Sequence, residues 1–257
     1  MDVIEITTPQ LLLTLVFVLI AGGASVVLKL RLEKDLIWGT VRTFAQLFLV
    51  GYVLKFIFQI NNPFLVLLIL TWMIFWAAQT IKGRVAETRI PVFAPTFISM
   101  VVSYTVVTVA VTALIIQVKP WYAPQYFIPI GGMIAGNSMN AIAIALERMF
   151  SEFRRGRDRI ELALCLGATY QEATSDIIRQ VIRAGMIPSI NALMTVGLVS
   201  LPGMMTGQIL AGSPPLTAIR YQIVVMLMIV AATVIGSVIV VHVVRRLCFS
   251  RAHQIVL

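Results

Sequence analysis

Seven apolar stretches dominate this chain of 257 residues. Each comes close to the roughly 20 residues an α-helix needs to cross a hydrocarbon core. They run about Pro9–Leu28, Thr43–Ile60, Phe64–Ile81, Val92–Val118, Tyr126–Leu146, Ile187–Ala211 and Thr217–Val244. Only 12% of the residues are charged and 59% are hydrophobic, whereas a soluble domain is about a quarter charged. So little charge cannot cover a surface that faces water, and lipid must be the solvent for most of the chain. The runs are too long for core strands and lack the alternation of barrel strands. The expected fold is therefore an all-α polytopic membrane protein, a single transmembrane domain spanning residues 1–257.

The basic residues give this set of helices a direction. No Lys or Arg precedes Lys29. The first connection carries Lys29, Arg31, Lys34 and Arg42, and the third carries Lys82, Arg84 and Arg89. The fifth carries Arg148, Arg154, Arg155, Arg157, Arg159, Arg179 and Arg183, and the tail Arg245, Arg246 and Arg251. The even connections hold only Lys55, Lys119 and Arg220. By the positive-inside rule, this alternation predicts seven spans with the N-terminus outside and the C-terminus cytoplasmic. It also explains the net charge of +9 without nucleic acid. Asp2 and Glu5 precede the first run in place of a basic leader, so that run is expected to be a retained span rather than a signal peptide. Trp121, Tyr122, Tyr126 and Phe127 fit an outer aromatic belt. Cys165 and Cys248 fall on the cytoplasmic side and are expected as reduced thiols.

One connection is long. Residues 147–185 open with a charged helical pattern that Gly167 interrupts. Thr169-Tyr-Gln-Glu172 then reads as a capping box starting a second helix. Tyr170, Ala173, Ile177 and Val181 share a face of that helix. Gly185 and Pro188 are expected to end it before the sixth span. The result is a projecting helix–glycine–helix hairpin whose apolar stripe needs a partner protein or a symmetry mate. The alternative is a basic connector lying on anionic lipid.

Glu161-Leu-Ala163-Leu-Cys-Leu-Gly167-Ala168-Thr169 resembles the E-A-A-x-x-x-G loop of ABC-transporter permease subunits, with Leu162 where the family pattern has alanine. The distal Ile-x-Leu-Pro of that pattern is absent at its usual spacing. "LEKDLIWGTVRTFAQLFLVGYVLKFIF" (residues 32–58), "IPIGGMIAGNSM" (128–139) and "RAGMIPSINALMTVGLVSLPGMMTGQILAG" (183–212) are together similar to the FetB-type iron-export permeases, the family that includes plant aluminium-tolerance permeases. The resemblance implies a homodimer of permeases in the cytoplasmic membrane bound to two copies of a cytoplasmic ABC ATPase. The hairpin residues Glu161, Ala163, Gly167, Ala168 and Thr169 would dock on that ATPase. It further implies export of iron or a related metal species. A nucleotide sugar is the alternative cargo. This chain contains no G-x-x-x-x-G-K-[ST], so ATP and Mg²⁺ would be held by the partner. The nearest approach to such a loop, "GGMIAGNSMN" (131–140), lies inside the fifth span and has Asn137 in place of the lysine.

Polar groups inside a membrane usually face a bundle interior or a water-filled route. The spans contain no Asp or Glu, only amides and hydroxyls. Asn137 and Asn140 lie three apart on one helix face. Pro202 is expected to break the sixth span at a similar depth, and broken helices of this kind hold transport sites. Met204, Met205 and Gln208 follow the break. Thioethers ligate soft metals, although methionine also simply fills irregular packing. Gly132 and Gly136 form a small-xxx-small packing face. The metal ligands, if any, are not set by the sequence, because carboxylate, imidazole and thiolate are missing from the membrane core. A secondary transporter would need an intramembrane charge that is absent. A scaffold that recruits a cytoplasmic enzyme would explain the hairpin but not the broken span. No triad, zinc motif or carboxylate pair supports an enzyme.

The charge alternation predicts the sidedness of single thiols. In a Cys248→Ser background, Cys165 should react with a membrane-impermeant maleimide only after the membrane is opened. A cysteine replacing Lys119 should react in intact cells. Labelling of both from one side would overturn the topology.

Overall fold

The computed structural model describes residues 6–59, 62–85, 89–250 and 254–257. Ile60, which closes the second apolar stretch, and Asp2, Glu5, Arg251 and His253 lie outside the described residues. The described chain is helical, with no strand among those residues beyond two isolated bridges, Val196 to Ser200 and Phe249 to Ile255. It divides into two compact units, one of residues 1–61 with 210–212 and one of residues 62–209 with 213–257.

The first unit contains α1 (Thr8–Leu13), α2 (Leu15–Val27) and α3 (Glu33–Ile57). Thr7 and Gln10 form a capping box at the start of α1. The α2–α3 turn is held by Ser25, which is buried. Its hydroxyl donates to Glu33 Oε1 at 2.8 Å and accepts from the Leu32 N–H at 3.0 Å. Lys29 and Arg31 adopt left-handed φ values of 54° and 60° in this turn. Phe17, Leu19, Trp38 and Tyr52 are exposed, as suits helices whose apolar solvent is lipid.

The second unit contains α4 (Pro63–Arg84), α5 (Phe93–Ala110) with a π-helical turn at Val111–Ile115, α6 (Pro124–Arg155), α7 (Arg157–Cys165), α8 (Tyr170–Thr195), α9 (Gly203–Leu210, except its last residue) and α10 (Pro215–Leu247). Helix α6 is the hub, packed by α4, α8, α10 and α5. Small residues make the approaches close. A Cβ on Gly131 would fall onto Leu70, and one on Gly132 would lie 2.8 Å from Met73 Cε. A Cβ on Gly185 of α8 would lie 2.7 Å from the Ala141 carbonyl. Ser138 of α6 and Thr233 of α10 share a buried hydroxyl hydrogen bond of 2.9 Å. With 32 residues, α6 is about 48 Å long and outruns a core of about 30 Å, so its charged end projects beyond the apolar layer.

Six helical segments among the described residues are long and apolar enough to cross a membrane. The stretch 187–211, expected as one span, is not one helix. Helix α8 starts in the hairpin and continues through Gly185 and Pro188 to Thr195. Those two residues therefore do not end it, because the packing of Gly185 on α6 outweighs the single hydrogen bond that Pro188 forfeits. Residues 196–202 are non-helical, with Gly197 at φ +84°. Pro202 does not kink a continuous helix. It precedes α9, and its carbonyl accepts from the Thr206 N–H at 3.1 Å.

Two further expectations change. The expected hairpin stripe is only partly buried within this chain. Thr174, Ile178, Val181 and Gly185 form the buried face of α8, rotated from the expected one, of which only Val181 is buried. Phe127 belongs to the core rather than an interfacial belt, being fully buried against Trp121 at 5.8 Å between ring centres.

The close contact predicts opposite outcomes for two glycine substitutions. Gly185→Ala should lower stability by on the order of 1–3 kcal/mol through overpacking. Gly136→Ala meets nothing within 4 Å and should be neutral or stabilise the single chain by about 0.5–1 kcal/mol. Thermal unfolding in detergent measures both; a neutral Gly185→Ala would contradict the packing.

Candidate functional site

The hairpin is built by α7, one glycine turn and the first turns of α8. Gly167 takes φ +92°, which a residue with a Cβ rarely adopts. The Gly167 N–H donates to the Leu164 carbonyl and the Ala168 N–H to the Ala163 carbonyl, both at 3.0 Å. This double bond pattern is a Schellman motif, and it explains why glycine stands four residues after Ala163. Glu161 pairs with Arg157 at 2.8 Å across one helical turn. Ile160 turns inward, whereas Leu162 is 61% and Leu166 80% exposed. The two leucines are four apart and form an apolar edge beside the turn.

Thr169 caps α8. Glu172 Oε2 accepts from the Thr169 N–H and from its hydroxyl, each at 2.7 Å, and the Glu172 N–H donates back to that hydroxyl at 3.3 Å. The backbone bond first, then the hydroxyl bond, hold the Glu172 carboxyl below the usual carboxylate range. The base of the hairpin rests on the C-terminal segment. Tyr170 lies 5.3 Å from Phe249 between ring centres, Phe249 lies 6.0 Å from Phe153, and the Arg245 guanidinium sits 5.7 Å above the Tyr170 ring. None of these tail contacts was legible from spacing, because they are long-range.

Four of the expected route and break residues, Asn137, Asn140, Pro202 and Met205, line two cavities. Asn137 and Asn140 line one of about 120 Å³ with Ala141 of α6, Pro188, Ser189 and Ala192 of α8, and Met226, Ile229 and Val230 of α10. The Asn137 amide donates to the Met133 carbonyl at 2.8 Å, and Asn140 Oδ1 accepts from Arg84 at 2.8 Å. Pro202 and Met205 line the other, of about 350 Å³, with Leu193, Val196, Gln222 and Met226 among its walls. Met226 lines both cavities. Met204 lines neither cavity. Gln208 Oε1 is buried without a hydrogen-bond partner. Gly132 packs on α4, while Gly136 is exposed, so the two glycines do not form one packed face within this chain.

Gln222 and Met226 went unnoticed in the sequence. Gln222 is nearly buried, and its Oε1 has no partner. Its signal was available, since it is the one amide in the last apolar stretch. Met226 had none, because one methionine among several is compositionally silent. No group of three His, Cys, Asp or Glu able to hold a metal occurs among the described residues.

The model of an "Uncharacterised protein family (UPF0014)" matches residues 8–249. The chain is 39% identical to the "Probable iron export permease protein FetB" of Escherichia coli K12 over 98% of this chain and 96% of that protein. It is 40% identical to the "UPF0014 membrane protein slr1647" of Synechocystis, over 88% and 87% respectively. It is 34% identical to "Protein ALUMINUM SENSITIVE 3" of Arabidopsis thaliana, over 94% and 87%. No solved structure matches it.

The cap makes the start of α8 acid-sensitive. A carboxyl depressed in the folded state stabilises above its unfolded pKa, and that stabilisation is lost as pH falls through the folded value. Amide exchange in the first turn of α8, corrected for its intrinsic pH dependence, should accelerate on acidification through that range. Glu172→Gln should abolish the pH dependence; an unchanged profile would assign it to another group.

Proposed function

Because the chain belongs to the UPF0014 family of multi-pass membrane proteins, we propose that it is the membrane-spanning permease subunit of an ATP-driven ABC transporter. In this reading residues 1–257 act as one permease domain, with the N-terminus outside and the C-terminus cytoplasmic. The broken pair α8–α9 makes the seventh crossing. Two chains pair, and each hairpin docks on one of two cytoplasmic ATPase subunits that hold ATP and Mg²⁺.

The observation that carries the reading is the continuity of α8. Its 26 residues make a rod about 39 Å long. One end is the capped hairpin with the exposed Leu162–Leu166 edge. The other end is the non-helical segment 196–202, beside the cavity lined by Val196, Pro202 and Met205. A displacement of the hairpin by the ATPase is thus transmitted along one hydrogen-bonded element to the cavity walls. Asn137 and Asn140 of α6 face the same rod at Pro188, Ser189 and Ala192, across a shared cavity.

The cargo is iron or a related metal species, as the name of the Escherichia coli relative suggests. The two cavities offer amide oxygens and thioethers rather than carboxylates or imidazoles. Such donors suit a chelated or weakly held metal better than a bare hard ion. Asn137, Asn140, Met204, Met205 and Gln208 are the route residues of this proposal.

Gly167→Pro should remove most substrate-stimulated ATP hydrolysis in the reconstituted complex while leaving the membrane helices folded. Asn137→Leu and Gln208→Leu should lower transport more than assembly. Wild-type coupling in the Gly167 variant would remove the hairpin from the mechanism, and wild-type transport in the amide variants would remove the route.

A further inference from the structure

A cavity of about 360 Å³ opens at the basic ends of α4 and α6, and the transport reading makes no use of it. Arg84, Arg154 and Arg155 line it, with the Glu147 carboxylate, the Ser151 hydroxyl and an apolar floor of Val85 and Phe150. Val85 and Phe150 are buried, whereas the three arginines are exposed. We propose that this cavity is a binding site for a phosphate ester at the membrane interface.

Three observations support the assignment. Among the described residues the lining carries the guanidiniums of Arg84 and Arg155, and guanidinium N–H groups match phosphate oxygens in forked geometry. Arg84 is held in place, because it donates to Asn140 Oδ1 at 2.8 Å, which leaves its other N–H groups to a ligand. The position is the third: Lys82 and Arg84 close the last turn of α4, a helix long and apolar enough to cross a membrane, so Arg84 stands where its apolar run ends. Basic cavities between membrane helices at this level receive lipid headgroups, and an apolar floor suits the glycerol and first methylenes of a phospholipid. A soluble phosphate ester offers the same head chemistry without the chain. Nearby Arg148, which pairs with Glu152 at 3.0 Å, does not line the cavity.

Although Arg84 bonds the route amide Asn140, binding is measurable without ATPase or cargo. The test uses the full chain purified in neutral detergent. Its affinity is measured for phosphatidylglycerol, for phosphatidylcholine, and for glycerol phosphate and inorganic phosphate, by native mass spectrometry and thermal shift. Phosphatidylglycerol should bind more tightly than phosphatidylcholine, and Arg155→Gln and Arg84→Gln should each weaken it about fivefold, the effect of one interfacial charge. Glu147→Gln should tighten it, because the carboxylate repels the anion. Arg148→Gln should change it little. Binding of glycerol phosphate with the same variant pattern assigns a soluble ester, and binding of the lipid alone assigns the headgroup. Equal weakening by Arg148→Gln and Arg155→Gln would reduce the effect to a diffuse basic surface and overturn the site. So would the absence of any preference for phosphatidylglycerol together with no phosphate binding.

Discussion

Close packing around α6 holds the second unit together. In lipid, helices gain little from hiding apolar surface, so association depends on van der Waals fit and a few internal hydrogen bonds. Helix α6 supplies both. Gly131 and Gly132 admit the side chains of α4, and the Ala141–Ala145 ridge admits Gly185 of α8. Ser138 meets Thr233 of α10, and Ile142 lies 3.6 Å from the position a Cβ on Gly236 would take. The amides Asn137 and Asn140 share this helix with the packing residues, so the cavity they line has walls fixed by the tightest contacts in the unit.

The same contacts account for the departure at Pro188. A proline inside a helix costs about 3 kcal/mol or more in water. Within a membrane bundle, neighbouring helices compensate for the freed backbone group. Gly185 is seated on α6 one turn earlier, and the helix is carried through. The chain then breaks at 196–202, in a turn where the Gly197 N–H donates to the Ser200 carbonyl at 2.9 Å and Leu198 and Val199 are exposed. Helix α8 therefore runs uninterrupted from the hairpin to the break.

Much of the hairpin chemistry was legible locally. The Thr169–Glu172 box and the break at Gly167 are short-range features, set by backbone dihedrals and three-residue spacing. The buried face of α8 was not, because a stripe read at helical period is ambiguous when apolar residues lie on more than one side. Ile177 and Ile178 are adjacent, and only the neighbours of α8 decide that Ile178 is buried and Ile177 is not. Gln222, Met226 and Arg84 escaped for a related reason. Each becomes part of a cavity only through residues far away in the chain.

The sequence by itself determined the solvent, the helical class and the sidedness expectation, because the bilayer imposes its length and charge rules on each segment separately. It also determined the caps, since those bonds close within four residues. Only the tertiary structure decided that the stretch 187–211 is a rod, a break and a short helix rather than one span. The tertiary structure alone also placed Asn137 and Asn140 in one cavity and Met205 in another, the two sharing Met226, and closed the hairpin base on the C-terminal tail. These outcomes depend on which surfaces meet, and local pattern carries no record of that.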